Sequence, residues 1–406
     1  MAKVLVVGKG GREDAISWKL SQSGHVDKIY IAPGNGGAFT ENGRKEKIEN
    51  VPIQSTHISQ LLEFAKEQKI DLTVVGPEAS LAVGIVDNFR KAGLNIFGPT
   101  SYAAQIESSK TFAKRIMAEM NIPTAKHRSF DSRGAACEYV VSSECNFPTV
   151  VKEDGLASGK GVRVCYNAVE AVEFIKSIPR RRTLLVEQFL EGPELSAHVL
   201  CDGKGSVLLP LSKDYKTSLE NGEGQNTGGM GSYAPVQTAD NDNYLIQEKI
   251  INPAFEGLVR KNCFYTGCLY VGLKITPGKI WVLEFNSRFG DPESQSYMRL
   301  LKTDLFEILM ACVEGRLSEI KIEWEKKHAV CVVWLPGVIL TSLRLVTQFL
   351  ELKTLNRSQK WRYFTPEQNM ITKRDVLLPT VAECLMSRPP EKRCEKRASG
   401  HTKRQG

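Results

Sequence analysis

The stretch VLEFNSRFGDPE (282–293) holds the densest set of groups able to do chemistry. Side chains alternate across a strand, so Glu284 and Asn286 point to one face and Phe285 to the other. Two oxygen donors on one face suit Mg²⁺, which keeps several waters and bridges the phosphates of a nucleotide. Arg288 and Asp291 follow in a turn, where a guanidinium can steady charge developing on a phosphoryl group. The plainer alternative is a buried acid hydrogen-bonded to an asparagine.

Three other stretches could serve the same chemistry. In FPTVVKEDGLASGKGV (147–162), Lys152 ends an apolar strand and a glycine-rich loop bearing Lys160 follows. Gly161 stands where a Walker A loop needs Ser or Thr, so the loop is not of that type. A flexible loop with one lysine can fold over a triphosphate; a hairpin with a solvated lysine fits equally. LLVEQFLEGPEL (184–195) runs a strand into a linker. There backbone groups could hold adenine, and Glu187 or Glu194 the ribose hydroxyls; taken singly, each glutamate reads first as a surface residue. GKGGRE (8–13) places Gly10, Gly11 and Arg12 after the first strand, where backbone N–H groups and a helix N-terminus attract an anion. Glu13 occupies the third glycine of a G-x-G-x-x-G fingerprint, which argues against a dinucleotide. A merely tight turn is the alternative.

The elements that must position these groups alternate strand and helix. KVLVVG (3–8), KIYIAPG (28–34) and DLTVVGPE (71–78) read as strands, with helical stretches from Glu13 to Leu20 and at ISQLLEFAKEQ (58–68). That order argues for a parallel α/β sheet. IAPGNGG (31–37) and VVGPEA (74–79) end successive strands on the edge where such sheets bind ligands. Ala103 to Met120 reads as one helix, stopped near Pro123. The segment 147–190 is strand-rich, and strands return from Leu195 to Leu211, at TGCLYVGLKI (266–275) and at KIWVLEF (279–285).

In order along the chain, GKGGRE, APGN, VGPEA, FGPT, ESSK, KEDGLASGKGV, QNTGGMGSYAPV, YTGCLYVGL and EFNSRFGDPE resemble the glycinamide ribonucleotide synthetase (phosphoribosylamine–glycine ligase) family over roughly residues 1–335. QNTGGMG (225–231) is the specific piece, since sister ATP-grasp ligases sharing the first motif lack it. ESSKTFAK and DYKTSLENGEGQNTGGMG are similar to the animal branch, where this enzyme opens a trifunctional purine protein.

The resemblance implies an α/β fold: a Rossmann-like N-terminal substrate domain (1–101), an ATP-grasp core (102–122 and 191–327), an ATP-grasp lid (123–190) and an aberrant C-terminal region with a basic tail (328–406). It implies ATP-dependent joining of glycine to 5-phosphoribosylamine through a glycyl phosphate, with ATP and Mg²⁺ (or Mn²⁺). Lys110, Lys152, Lys160, Gly161, Glu187, Leu190 and Glu194 would hold ATP, and Glu284 and Asn286 the metal. Asp214, Asn226, Gly228 and Arg288 would line the glycine and acyl-phosphate side. Gly10, Gly11, Arg12, Asn35, Pro77 and Glu78 would face phosphoribosylamine. Arg288, Asp214 and Lys160 are the expected catalytic residues.

Three departures from the family pattern stand out. Asp14 replaces the histidine of GGREH, and a carboxylate there repels a phosphate unless it points away or pairs with Arg12. The segment between GKGV and VEQFL is about seven residues short and carries Arg180-Arg181-Arg182. After HAVCVVWLPG (328–337) the expected strings VFHAGT and NGGRVL-x-VTA are missing, and no strand–helix period is visible. Both strings reappear by back-translation in one alternative frame, the first within 361–368 and the second within 379–389. Residues from about 338 onward therefore read as a frameshifted C-terminal domain, with a divergent disordered tail as the alternative.

The bulk properties agree with this reading. The 406 residues carry a net charge of +8. Residues 353–406 hold 13 Lys+Arg against 5 Asp+Glu, so they account for the whole excess and the body is neutral. No nucleic-acid partner is expected, although a tail-driven nucleic-acid protein, or a catalytically impaired nucleotide-binding remnant, are the competing readings. The ten cysteines show no C-x-x-C pair, fitting reduced thiols in a cytoplasmic protein. No apolar run approaches membrane-spanning length.

Overall fold

The computed structural model describes residues 1–35, 47–156, 161–180, 182–217, 227–239, 241–276 and 278–333, with the backbone of two further strands, Trp361–Phe364 and Val381–Met386. The Val-rich opening run forms the strand Ala2–Gly8, at the centre of a parallel sheet. Val26–Pro33 and then Ile48–Asn50 lie on one side, Leu72–Val75 and then Ile96–Phe97 on the other. The strand order therefore reverses at the central strand. Its C-terminal edge, where Gly8–Glu13, Pro33–Asn35 and Gly76–Glu78 emerge, is the crevice in which open α/β sheets bind ligands.

The central strand is apolar on both faces because both are covered. Leu5 and Val7 pack with Leu61, Leu81 and Phe89 from the helices of the same segment. Val4 and Val6 face the other way, into a core shared with Ile16, Tyr297, Met298 and Ile308. The helices Glu293–Leu300 and Leu305–Glu314 thus cover a sheet that begins some three hundred residues earlier. That packing ties the Arg288–Asp291 turn to the Gly10–Arg12 turn.

A four-stranded antiparallel sheet comes next, in the order His127–Phe130, Leu184–Gln188, Thr149–Glu153, Val162–Cys165. Two helices, Arg133–Val141 and Ala168–Ser177, bury Ala136, Val140, Ala171 and Ile175 against it. The second helix lies inside a segment that reads as strand-rich. Its signals are the 171/175 spacing and Asn167, whose side chain accepts the Glu170 amide at 3.0 Å.

The expected single helix from Ala103 to Met120 is two helices, Gln105–Ser108 and Lys110–Glu119. Ser109 is extended between them, at φ −136° and ψ 107°, and its hydroxyl caps the second helix through the Phe112 amide. Beneath them Ser206–Leu208, Glu194–Asp202, Thr266–Thr276 and Lys279–Asn286 form a second antiparallel sheet. A last sheet runs Lys213–Asp214, Gly231–Ala234, His328–Val333, Val381–Met386, Trp361–Phe364. Its last two strands fall within the two back-translated segments, where no periodicity was legible. Strands of four and six residues leave too few alternations to read.

Among the described residues no helix is long and apolar enough to cross a membrane, and Cys137, Cys145, Cys165, Cys201, Cys263, Cys268 and Cys312 are free thiols.

Candidate active site

One cavity of about 530 Å³ opens where the three main sheets meet. Arg12, Glu78, Lys110, Lys152, Gly161, Glu187, Leu190, Glu194, Asp214, Gly228, Glu284, Asn286 and Arg288 all line it. Residues spread over 277 positions are thus brought to one wall-to-wall space. Lys160 and Asn226 lie outside the described residues.

One end of the cavity is cationic. The break at Ser109 makes Lys110 the first residue of its helix, and Asp154 caps that start through the amides of Lys110 and Thr111. Lys110 Nζ then reaches the Gly155 carbonyl at 2.9 Å, at the root of the glycine-rich loop. Lys152 Nζ bonds the Leu283 carbonyl at 3.2 Å and Glu187 Oε2 at 2.9 Å. Lys114, one helical turn beyond Lys110, reaches the same Glu187 oxygen at 3.2 Å and the Thr124 hydroxyl at 2.8 Å.

Glu187 is therefore the anchor of two lysines. Burial raises its pKa, but the charges of Lys152 and Lys114 outweigh that and leave it below the ordinary carboxylate range. Opposite charges 3 Å apart attract by about 5 kcal/mol at an effective dielectric of ~20, close to the several kcal/mol that burying each ion costs. One lysine roughly breaks even; the second makes the ionised carboxylate the stable form. Burial in turn lowers Lys114 to about 8 against the opposing pull of Glu187. Glu187 Oε1 is buried without a hydrogen-bond partner. Glu194, with its side chain 42% exposed at the rim, is the more accessible carboxylate for a ribose.

Glu284 and Asn286 face the cavity from the end of Lys279–Asn286, as strand alternation requires. Burial pushes the Glu284 carboxyl up, yet Lys216, Lys152, Lys110 and Arg288 together hold it below its usual range. Lys216 Nζ lies 3.7 Å from it. Asn286 Nδ2 is buried without a partner, and its Oδ1 receives only a 3.4 Å contact from Arg288. Among the described residues no group of three or more His, Cys, Asp or Glu could hold a metal alone. One carboxylate and one amide oxygen fit a divalent ion that arrives already bound to phosphates and water, and the orphaned Asn286 N–H is a donor left over for a phosphate oxygen.

The other end is acidic. Burial raises Asp214, aided by the charge of Glu293, to about 8. Its Oδ1 has no hydrogen-bond partner. Gly229 makes this corner possible: its φ is +110°, and a Cβ there would meet Pro292 Cδ at 2.5 Å and Asp214 Oδ1 at 2.9 Å. The second glycine of the QNTGGMG pair thus lets the loop lie against the cis Asp291–Pro292 turn, whereas a Cβ on Gly228 would meet nothing.

Arg288 joins the two ends. It lies 3.2 Å from both Glu78 and Glu107, and the two carboxylates overcome burial to raise its pKa further. Glu107 also accepts the Ser287 amide at 2.8 Å.

The N-terminal turn is arranged differently from a simple phosphate cradle. The Gly10 amide donates to Glu13 Oε2 at 2.6 Å, and the Arg12 amide to Asp291 Oδ2 at 3.3 Å. The partial positive charge of the helix start has drawn in carboxylates of the protein itself. Arg12 pairs with Glu13 at 2.5 Å rather than with Asp14, and its NH1 donates to the Phe289 carbonyl at 3.0 Å. Asp14 is buried and accepts from Asn35 Nδ2 at 2.9 Å, which settles where that unusual carboxylate points. Gly10, Gly11, Asn35 and Pro77 stand behind the cavity wall rather than in it. Arg182, from the triple-arginine run, pairs with Glu153 at 3.4 Å beside Gly155.

The sequence reading missed Lys114, Glu107, Lys216, Tyr270 and Glu293, all of which line the cavity. Lys114 was within reach, since residues four apart share a helix face. Lys216, two residues past the strand Lys213–Asp214, and Tyr270, on Thr266–Thr276, lie within DYKTSLENGEGQNTGGMG and YTGCLYVGL, but only the tertiary fold brings their side chains to the cavity.

Comparisons with known proteins agree with this architecture. The phosphoribosylglycinamide synthetase N-domain model matches residues 2–107, and the ATP-grasp (A) domain model of the same enzyme matches 108–294. The chain is 46% identical over 339 residues to a phosphoribosylamine–glycine ligase of Caldanaerobacter subterraneus, covering 82% of this chain and 79% of that protein. It is 42% identical to the human trifunctional purine biosynthetic protein adenosine-3 over 82% of this chain but 33% of that much longer protein. Among solved structures, phosphoribosylamine–glycine ligase of Thermotoga maritima superposes with a TM-score of 0.72 at 26% identity, over 94% of this chain and 92% of that one. With an α/β architecture of the ATP-grasp type and matches of this extent, the chain belongs to the phosphoribosylglycinamide synthetase family.

Proposed function

We propose that the chain is a phosphoribosylamine–glycine ligase of purine synthesis, joining glycine to 5-phosphoribosylamine through a glycyl phosphate at the expense of ATP. The observation that carries the reading is the polarity of one cavity: lysines around Glu284 and Asn286 at one end, Asp214 and Glu293 at the other, with Arg288 between. The cationic end suits a triphosphate. Glu293, and Asp214 once an adjacent cation draws off its proton, suit the ammonium of an amino acid whose carboxylate then points toward Arg288.

In the chemistry this supports, a glycine carboxylate oxygen attacks the γ-phosphorus of ATP and ADP leaves. The amine nitrogen of the ribosylamine then attacks the acyl carbon, phosphate leaves, and the amine gives up a proton. Lys110, Lys152 and Lys160 hold the nucleotide phosphates, and Gly161, Leu190 and Glu194 border the nucleoside. Glu284 and Asn286 would hold Mg²⁺ or Mn²⁺, which supplies positive charge to the triphosphate. Arg288 neutralises charge on the transferring phosphoryl group. Asp214, Asn226 and Gly228 orient glycine, and Arg12 and Glu78 face the ribosylamine from turns shaped by Gly10, Gly11, Asn35 and Pro77. Positioning and electrostatics are sufficient, so no covalent enzyme intermediate is required.

The test is ADP release from ATP and Mg²⁺ with glycine and freshly generated phosphoribosylamine each added or omitted. Release that needs both substrates and vanishes in Glu284→Ala supports the ligase. No turnover in the intact chain, while ATP still protects it against heat, replaces the reading with a nucleotide-binding remnant.

A further inference from the structure

We infer that His198 is the positioning residue of the Ser287–Pro292 turn, working as a neutral imidazole whose Nε2 accepts the Gly290 amide while its Nδ1–H points to Tyr297. The inference rests on the ligase reading for what the turn does, but not for how the turn is held.

His198 is fully buried on Glu194–Asp202, and the Gly290 amide lies 3.0 Å from its Nε2. A backbone N–H can only donate, so Nε2 must present a lone pair. In a neutral ring the proton then sits on Nδ1, which is 3.1 Å from the Tyr297 hydroxyl. Tyr297 donates onward to Ser212 Oγ at 2.8 Å, and Ser212 to the Ser196 carbonyl at 3.4 Å. Every donor in this chain has one acceptor, and the chain ends on a carbonyl that needs no proton of its own. The direction of all its bonds follows from the Gly290 amide alone.

Packing fixes the ring as firmly. It stacks on Tyr270 at 4.5 Å and 15°, and meets Tyr297 edge-on at 4.9 Å and 70°. Gly290 lies so close that a Cβ there would sit 2.7 Å from His198 Nε2 and 2.4 Å from Glu293 Oε2. Its carbonyl is held from the other side by the Ser294 hydroxyl at 2.5 Å. Gly290 is thus clamped through both peptide groups, two residues after Arg288 and one before Asp291. Burial and the nearby Arg288 charge lower His198 to about 3, which keeps the acceptor available at every working pH. Charging the ring would set N–H against N–H and release the turn.

Two substitutions separate positioning from mere packing. His198→Gln can place an acceptor near the Nε2 position and loses the Tyr297 bond. His198→Asn can match the Nδ1 position and loses the Gly290 bond. Each forfeits one buried hydrogen bond, so their melting temperatures should fall alike. The expected result is that kcat drops about 100-fold in His198→Asn, the loss that a displacement of about 1 Å at the reacting groups brings, with little change in the KM for ATP. His198→Gln should stay within about threefold of the parent. Equal kcat in the two variants, or losses that track melting temperature, overturn the inference. ¹⁵N-histidine NMR of the intact parent decides independently of activity and of variant folding. A resonance absent from the His198→Gln or His198→Asn spectrum, or assigned by backbone correlation if neither folds, should report the neutral Nδ1–H tautomer. An Nε2–H tautomer or an imidazolium there refutes the inference. A parent without turnover refutes the ligase reading instead, and the tautomer then stands as the test of His198.

Discussion

Asp154 caps Lys110 across 44 residues of chain: its Oδ1 accepts the Lys110 amide while its Oδ2 accepts the Thr111 hydroxyl at 2.7 Å. The carboxylate at the root of the glycine-rich loop thereby starts the helix that carries Lys110, one of the lysines proposed to hold phosphate. Loop and helix are one unit. Asp154→Ala should cost about 2 kcal/mol, from a lost cap and partly buried amides left without acceptors. Because Lys110 also bonds Gly155, the KM for ATP should rise roughly tenfold, or about 1.4 kcal/mol. Urea unfolding and ATP titration of the variant check the two effects separately. An unchanged KM would show that the cap serves stability alone.

Glu187 balances one of the two buried lysine charges it pairs with, Lys114 and Lys152, and leaves one positive charge over. Glu187→Leu should destabilise the chain by roughly 3–5 kcal/mol, since Lys114 and Lys152 would face each other unpaired. Adding Lys114→Met should recover a large part of that loss, because the repulsion disappears with the second cation. A double-mutant cycle in urea measures the recovery. Simple additivity of the two changes would contradict the shared-oxygen arrangement.

Asp214 sets a pH dependence whose sign follows from its direction of shift. Its folded pKa is raised from the ordinary 3.8 to about 8, so the folded state keeps a proton that the unfolded state has lost throughout that window. Its contribution to stability is full below about 4 and fades as pH rises through about 8. Below about 6.5 His198, lowered to about 3, and above about 8 Lys114, lowered from 10.5, both contribute in the opposite sense, so the informative range is pH 6.5 to 8. Asp214→Asn should flatten the decline there, read as melting temperature against pH. A parallel slope in the variant would remove Asp214 as its source.

The region beyond about residue 338 makes a prediction at the level of nucleotides. Trp361 to Gln368 should be encoded as TGG CGG TAT TTC ACG CCG GAA CAA or a close synonym. From its third base that string reads Ala-Val-Phe-His-Ala-Gly-Thr. Sequencing the transcript checks it, and codons incompatible with the alternative frame end the idea. Restoring the frame should give a C-terminal region that follows His328–Val333 with the family's strings.

Much of the site was legible in the residues themselves. Glu284 and Asn286 share a face because strand alternation is local, and GKGGRE, VVGPEA and the lysine-ending strand announce themselves within a few positions. Two local readings misjudged their surroundings. Ala103–Met120 has unbroken helical composition, and the break at Ser109 exists because Asp154 supplies the competing cap. Ala168–Ser177 was hidden in a strand-rich stretch because its packing face is only two buried residues wide.

By itself the sequence determined the family, the alternating α/β order and the oxygen pair at the end of one strand, because each is written in neighbouring residues. Only the tertiary structure decided that Glu187 is shared by two lysines, that Asp291 reaches the Arg12 amide from 279 residues away, and that buried His198 holds Gly290. Those depend on burial and on charges brought together by strand crossing, and neither leaves a trace in local spacing.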